Sequence, residues 1–479
     1  MAALSNIEPK EVFHFFEEIC NIPHGSKNLQ KISDYLVSFA KERGFEVWQD
    51  DALNVIIKAP ATPGYEDRET VILQGHMDMV AVKESDCDIN MLNDGLKVTT
   101  DGEYVWAEGT SLGGDDGIAV AYILAILDSK DIPHPPLELI ITTDEEIGML
   151  GAAQLDLSML SGKKMINIDN EEEGVFITSC AGGSRFNSKL PVTRVEKNGV
   201  ICRVSVSGLQ GGHSGEMIKY GRGNANIICN RVLSALLDEI SINVISIEGG
   251  VADNAIPTDC ESFVLIDKKD IEKAKEIVVK TFEGIKSEYE LKDPGLVISF
   301  AEKENQTASC MDDKTTQNLV KLIGIMPDGV QAMSAAIDGL VETSLNMGIV
   351  KTTDDSVLVV QALRSSVDSA FDALDKKLET IAGLLGCEVH SAGRYPGWQY
   401  RNHSELRDHM VEVYKKLYGK EPKLEAIHAG LECGIFCYKI PGLDCISIGP
   451  DMKDIHSTKE KLSVASTARV WDYLKAVLA

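Results

Sequence analysis

The sequence predicts an α/β domain with a central mixed sheet flanked by helices, interrupted by an inserted α+β domain. Three observations predict it. Short strands dense in Val, Ile and Leu alternate with helices up to about residue 183. Half-exposed strands of antiparallel texture then take over, and the α/β pattern returns after about residue 395. The expected bounds are 1–184 and 395–479 for the two parts of the first domain and 185–394 for the insert. A chain of 479 residues also exceeds what one hydrophobic core usually supports.

Two amphipathic helices, at 9–20 and 29–43, open the chain. Strands at 71–74, 137–142 and 165–168 lack polar alternation, as strands buried on both faces should. Residues 117–128 are apolar nearly all round, which predicts a buried helix. In the insert, Val200, Cys202, Val204 and Val206 share one strand face, with Arg203, Ser205 and Ser207 on the other. A helix at 224–240, strands at 242–248 and 260–266 and a helix at 270–286 follow. A second set comes next: strand 296–300, helix 315–323, strand 357–363 and helix 368–385. The insert thus reads as two similar halves. The returning part carries a helix at 404–417, a strand at 445–448 and a closing helix at 463–478.

In an open α/β sheet the carboxyl ends of the strands share one crevice, where ligands bind. His76 and Asp78, Glu145 and Glu146, Asp169 and His456 all follow apolar strands, and Asp115 precedes the buried helix. Singly, each pattern has an ordinary explanation: a structural His-x-Asp pair, an acidic N-cap, a solvated loop, a surface charge run at Glu171–Glu173, an exposed histidine. None of these explanations predicts that the positions are topologically equivalent. Crowded carboxylates repel by roughly 4 kcal/mol per close pair at an effective dielectric of about 20, so such a site calls for cations. Imidazole plus carboxylate is the ligand set of a hydrolytic zinc, and the residues read as a two-metal hydrolase. Asp78, two residues from His76 on an extended segment, is expected to hydrogen-bond its imidazole.

A net charge of −27 without a basic stripe argues against a nucleic-acid partner, and the acidity itself reads as a solubility device. The 11 cysteines lie mostly inside apolar segments, as reduced thiols of a cytoplasmic protein do. Cys433 and Cys437 lack the spacing of a zinc ribbon and read as packing residues. The N-terminus has no basic region leading into an apolar core, and no apolar stretch approaches the roughly 20 residues of a membrane span. Neither a signal peptide nor a membrane partner is expected.

With these residues in view, the chain is similar to the zinc aminopeptidase/carboxypeptidase-like superfamily, and within it resembles the aminoacyl-histidine dipeptidases (cytosol non-specific dipeptidases, Xaa-His dipeptidases). The motifs run nearly the full length: Ile22-Pro-His-Gly-Ser26, Gln74-Gly-His-Met-Asp-Met79, Gly109-Thr-Ser-Leu-Gly-Gly-Asp-Asp-Gly117, Thr143-Asp-Glu-Glu-Ile-Gly148, Ile168-Asp-Asn-Glu-Glu-Glu-Gly174, Gly211-Gly-His-Ser-Gly215, Leu363-Arg-Ser-Ser366 and His428-Ala-Gly-Leu-Glu-Cys-Gly434. The resemblance implies a zinc-exopeptidase-like fold with the insert as lid and dimerisation domain. It implies two Zn²⁺, with Mn²⁺ or Co²⁺ as substitutes: His76 and Asp169 on one, Glu146 and His456 on the other, Asp115 bridging. Glu145 would be the general base and Asp78 the carboxylate orienting His76. His213 would polarise the scissile carbonyl, and in dimeric relatives it can come from the other subunit. Arg364 and Asn254 would hold the dipeptide's carboxylate and backbone. Relatives often read Leu-Gly-Ala-Asp-Asn-Gly where this chain has Leu112-Gly-Gly-Asp-Asp-Gly117, so Asp116 adds a negative charge beside the bridging position. The alternatives are a deacylase or single-residue exopeptidase of the same superfamily and a non-catalytic metal-binding relative. A di-metal phosphoesterase would want Arg or Lys beside the ligand loops, and the first domain offers none.

Overall fold

Leu137–Thr142, Val71–His76, Lys164–Asn167 and Asp444–Ser447 lie side by side and parallel in the computed structural model, which describes residues 3–479. Burial on both faces explains their continuous apolar runs. Four further strands extend the sheet to eight: Val55–Ala59 pairs antiparallel with Leu137–Thr142 and Glu46–Gln49 with Val55–Ala59, while Val175–Cys180 and then Lys423–Ile427 follow Asp444–Ser447. The last parallel strand comes from the far end of the sequence, so the chain returns to this sheet after its insert.

The helix expected at 117–128 spans Gly114–Asp128, but Asp115 and Asp116 have non-helical backbone angles and form its lead-in. Every residue from Gly114 to Leu127 is buried, which is why no polar stripe marks it. It packs on Lys10–Cys20, and its Tyr122 ring stacks on Trp471 of the closing helix Val464–Leu478 at 6.0 Å between centroids.

The insert holds a separate nine-stranded antiparallel sheet with its own core, including Val204, Leu233, Val264, Leu319 and Val359. One half pairs Val297–Met311, Arg194–Ser207, Cys260–Ile266 and Ile242–Gly249 in that order, beneath Ala225–Glu239 and Ile271–Tyr289. The other pairs Val341–Thr352, Ser356–Ser365, Gly182–Pro191 and Glu388–Tyr395, with Gly329–Met333 beside Val341–Thr352 and helix Asp368–Leu384 against this half, whereas Asp313–Ile325 packs on Ala225–Glu239 of the first half. The strand expected at 296–300 is three times longer, because it pairs with Arg194–Ser207 nearly end to end. Its far part is solvent-exposed and therefore carries no apolar signal. Contacts divide the chain into two compact units, one running to Ser179 with Tyr400–Ala426 and Leu431–Ala479, the other comprising Cys180–Gln399 and Ile427–Gly430. No helix among the described residues is long and apolar enough to cross a membrane. The cysteines are free thiols, mostly buried.

Asn224 illustrates how the second unit is fastened. Its side chain caps Ala225–Glu239 through the N–H groups of Asn226 and Ile227, and its amide donates to the Met347 carbonyl at 3.1 Å and to Asp328 at 3.2 Å. Replacing Asn224 by Ala is expected to cost about 1–3 kcal/mol, from the lost cap and the stranded acceptors, measured by chemical denaturation.

Candidate metal centre

His76 is the last residue of its strand and is almost wholly buried. Its Nδ1 lies 2.9 Å from the main-chain carbonyl of Asp78, an acceptor only, so Nδ1 carries the proton and Nε2 presents its lone pair. The Asp78 carboxylate expected on this imidazole is also within reach, 3.4 Å from Nδ1. That carboxylate accepts hydrogen bonds from Ser26 Oγ at 2.8 Å and from the N–H groups of Glu145 at 3.0 Å and Glu146 at 3.3 Å. Asp78 thus ties the histidine strand to the glutamate loop. Burial pushes its pKa up, but its bonds from His76, Ser26 and Glu145 prevail and hold it below the ordinary range.

Asp115 stands between two imidazoles. Its Oδ1 is 3.1 Å from His76 Nε2 and its Oδ2 is 3.1 Å from His456 Nε2. His76 Nε2 is also 3.6 Å from Asp169 Oδ1, and His456 Nε2 is 2.9 Å from Glu146 Oε2. The five ligand candidates, drawn from opposite ends of the sequence, therefore meet within the first unit, with Asp78 and the Glu145 backbone joined to them. Asp144 and His456 adopt left-handed backbone angles, φ +52° and +58°, which non-glycine residues rarely take and which cluster at functional sites.

The donor set fits divalent cations. Donor atoms of His76, Asp115 and Glu146 lie within 4.8 Å of one another, as do those of His76, Asp116 and Asp169. Glu146 Oε1 and Asp116 Oδ1 are buried without a hydrogen-bond partner among the described residues, a cost that a bound cation removes. The other Asp116 oxygen accepts the His76 N–H at 3.1 Å. Without cations four of the acidic groups resist ionisation. Burial, with the neighbouring carboxylates, lifts Asp169 to about 6 and Glu171 to about 7, and pushes Glu145 and Asp116 well up. Hydrogen bonds to Asp115 and Glu146 raise His456 to about 10.

Two residues that sequence reasoning missed hold this cluster in place. Glu460 is buried and accepts the N–H groups of Leu112 at 2.8 Å, Gly113 at 3.1 Å, Gly114 at 2.8 Å and Asp115 at 3.4 Å. Flanked by lysines in Lys459-Glu-Lys461, it reads as surface charge, and nothing local marks it. Glu432 is wholly buried and accepts from Gln74 Nε2 at 2.5 Å and Thr142 Oγ1 at 2.7 Å, while Asn167 donates to Gln74 Oε1 at 2.6 Å. These bonds join three parallel strands just before His76, Glu145 and Asp169. Polar Gln74 and Asn167 inside apolar strands were the available signal.

His213, Asn254 and Arg364 gather in the second unit. Gly212–His213 pairs with Ala255–Ile256, and the Asn254 carbonyl accepts the Ser214 N–H at 2.8 Å, although the Asn254 side chain is exposed. Arg364 is buried, with Nη2 3.4 Å from His213 Nε2. Burial and the Arg364 charge lower the His213 pKa.

Replacing Glu460 by Ala strands four amides beside Asp115 and is expected to destabilise the protein by about 3 kcal/mol or more, read by urea denaturation. A second outcome concerns pH. Burial raises Glu432 to about 8, so folded metal-free protein binds protons that the unfolded chain releases above its ordinary value near 4.5. Stability of the chelated protein should therefore fall as pH rises from about 5 to 8, and Glu432→Gln should flatten that slope in denaturation curves.

A model of the peptidase family M20/M25/M40 matches residues 72–479. Cytosol non-specific dipeptidase from Escherichia coli (strain K12) is 36% identical over 480 residues, covering 100% of this chain and 99% of that protein. The crystal structure of aminoacylhistidine dipeptidase from Vibrio alginolyticus is similar at a TM-score of 0.95 and 37% identity, over 99% of this chain and 97% of that one. Aminopeptidase PepT from Bacillus cereus shares the fold at a TM-score of 0.57 and 17% identity over 98% of both chains. With its strand-end imidazoles and carboxylates, its inserted second sheet and these full-length matches, the chain belongs to the peptidase family M20/M25/M40.

Proposed function

We propose that this chain is a metal-dependent dipeptidase that hydrolyses dipeptides, Xaa-His among them, with two Zn²⁺ as its preferred cations and Mn²⁺ or Co²⁺ as substitutes. The observation that carries the reading is the Asp115 carboxylate, with one oxygen toward His76 and the other toward His456. His76 and Asp169 would hold one cation, Glu146 and His456 the other, and Asp115 both. When bound, the cations supply Lewis acidity and make water a competent nucleophile near neutral pH.

The remaining steps belong to the protein. Glu145 is held at the site by its N–H bond to Asp78, and burial raises its carboxyl well above the ordinary range. Ionised once cations are bound, the Glu145 carboxylate would accept the proton of the attacking water as the oxygen adds to the peptide carbon. It then returns that proton to the departing amine as the C–N bond breaks. Asp78 orients His76 through its own main-chain carbonyl and fixes the Glu145 loop. His213, kept neutral, can donate a hydrogen bond to the carbonyl oxygen where charge develops. Arg364 would pair with the substrate carboxylate and Asn254 with its backbone. A homodimer formed through the inserted domain and a cytoplasmic location complete the proposal.

Dipeptide turnover is expected to vanish on chelation and to return on adding Zn²⁺. Glu145→Gln should lower kcat about a hundredfold to ten-thousandfold while the metal content, read by elemental analysis, stays at the wild-type level. Turnover indifferent to chelation or to this substitution would overturn the reading, and faster cleavage of N-acyl amino acids than of dipeptides would turn it into a deacylase.

A further inference from the structure

One row of the second sheet crosses four strands. Ser344 pairs with Arg364, Arg364 pairs with Gly183, and Gly183 pairs with Tyr395. At the centre of the row is a glycine, and its missing side chain decides what happens there. A Cβ on Gly183 would stand 2.6 Å from the Tyr395 hydroxyl oxygen and 2.7 Å from Cζ, so only glycine lets the ring lie over the strand toward Arg364. Arg364 Nη1 donates to the Tyr395 hydroxyl at 3.5 Å. At the other end of the row, Ser344 Oγ is 2.7 Å from His428 Nε2, and His428 is held neutral, near 3, by burial and by the Arg364 charge.

The guanidinium at the centre is short of partners. Arg364 is 9% exposed, its Nε is buried without a hydrogen-bond partner, and its two contacts, to Tyr395 and His213, are long and uncharged. It forms no ion pair with a carboxylate among the described residues. A buried cation left unpaired is costly, and an incoming carboxylate offsets that cost. Tyr395 accepts from Arg364, which leaves its own hydroxyl hydrogen with no acceptor among the described residues and free for a ligand oxygen.

We propose that Tyr395 and Arg364, meeting across the Gly183 notch, form a two-donor seat for the substrate's free α-carboxylate, with Tyr395 a specificity-determining residue that restricts the enzyme to substrates ending at that carboxylate. The proposal rests on the dipeptidase reading. A planar carboxylate receives the Arg364 fork at one oxygen or both and the Tyr395 hydroxyl in addition, whereas a C-terminal amide meets a donor facing a donor.

The test compares a dipeptide with the same dipeptide carrying a C-terminal amide, using the metal-loaded enzyme. Tyr395→Phe removes only the hydroxyl. It should raise KM for the free dipeptide about tenfold or more, with kcat within about twofold, and change KM for the amide less than about twofold. Gly183→Ala, which displaces the ring, should give the same selective rise. An unchanged KM in Tyr395→Phe, or an equal rise for both substrates, would overturn the proposal while leaving the dipeptidase reading intact. No dipeptide turnover by the unmodified metal-loaded enzyme would overturn the dipeptidase reading, and the carboxylate seat with it.

Discussion

Like charges brought together out of water are the constraint around which the first unit is organised. Asp115, Asp116, Glu145, Glu146 and Asp169 crowd the carboxyl ends of parallel strands, where burial pushes Asp116, Glu145 and Asp169 toward protonation. Two imidazoles interleave with them, and Asp115 is the carboxylate that both imidazoles reach. Its pKa falls below the ordinary range even though burial opposes this, because His456 and His76 together outweigh the desolvation. Asp116, Glu145 and Asp169 lack that compensation and rise. A pair of divalent cations is the group that would let all of them ionise together, and the orphaned oxygens of Glu146 and Asp116 sit where such charge is needed.

Holding a repelling cluster still requires anchors outside it. Three buried carboxylates supply them, each in a different way. Asp78 accepts the amides of the glutamate loop, Glu460 gathers four amides of the turn that leads into Asp115, and Glu432 accepts from side chains of two adjacent strands, with a third joined through Gln74. Amide dipoles and side-chain donors offset part of the cost of burying each carboxylate. The consequence is a site whose acidic groups are fixed by further acidic groups, with few basic side chains involved. That arrangement leaves the net negative field of the pocket to be balanced by what binds there.

The insert works by the opposite electrostatics. Around Arg364 it places two neutral histidines, a serine and a tyrosine, with burial and the guanidinium charge keeping the imidazoles unprotonated. The charge there is one buried guanidinium among neutral partners, which suits an anionic group on a ligand. The row Ser344, Arg364, Gly183, Tyr395 shows how a sheet builds such a pocket: paired residues share a face, and one glycine creates the gap over which two long side chains meet.

Local pattern sufficed for much of this protein. The parallel strands were legible because burial on both faces demands unbroken apolar runs, and their ends identified His76, Glu145, Glu146 and Asp169 through the geometry of open α/β sheets. Motif resemblance supplied the roles. The long exposed strand Val297–Met311 left little trace, since backbone pairing on a solvated edge requires no particular side chains. Glu460 and Tyr395 were invisible for a different reason: each matters only through partners more than two hundred residues away or on neighbouring strands, and no local signal encodes such distances. The sequence alone determined which residue types could meet and which strands would be buried. Only the tertiary structure decided that Asp115 presents separate oxygens to His76 and His456, and that Arg364 is buried without a counter-charge among the described residues, because these facts depend on where side-chain atoms stand once distant segments have packed.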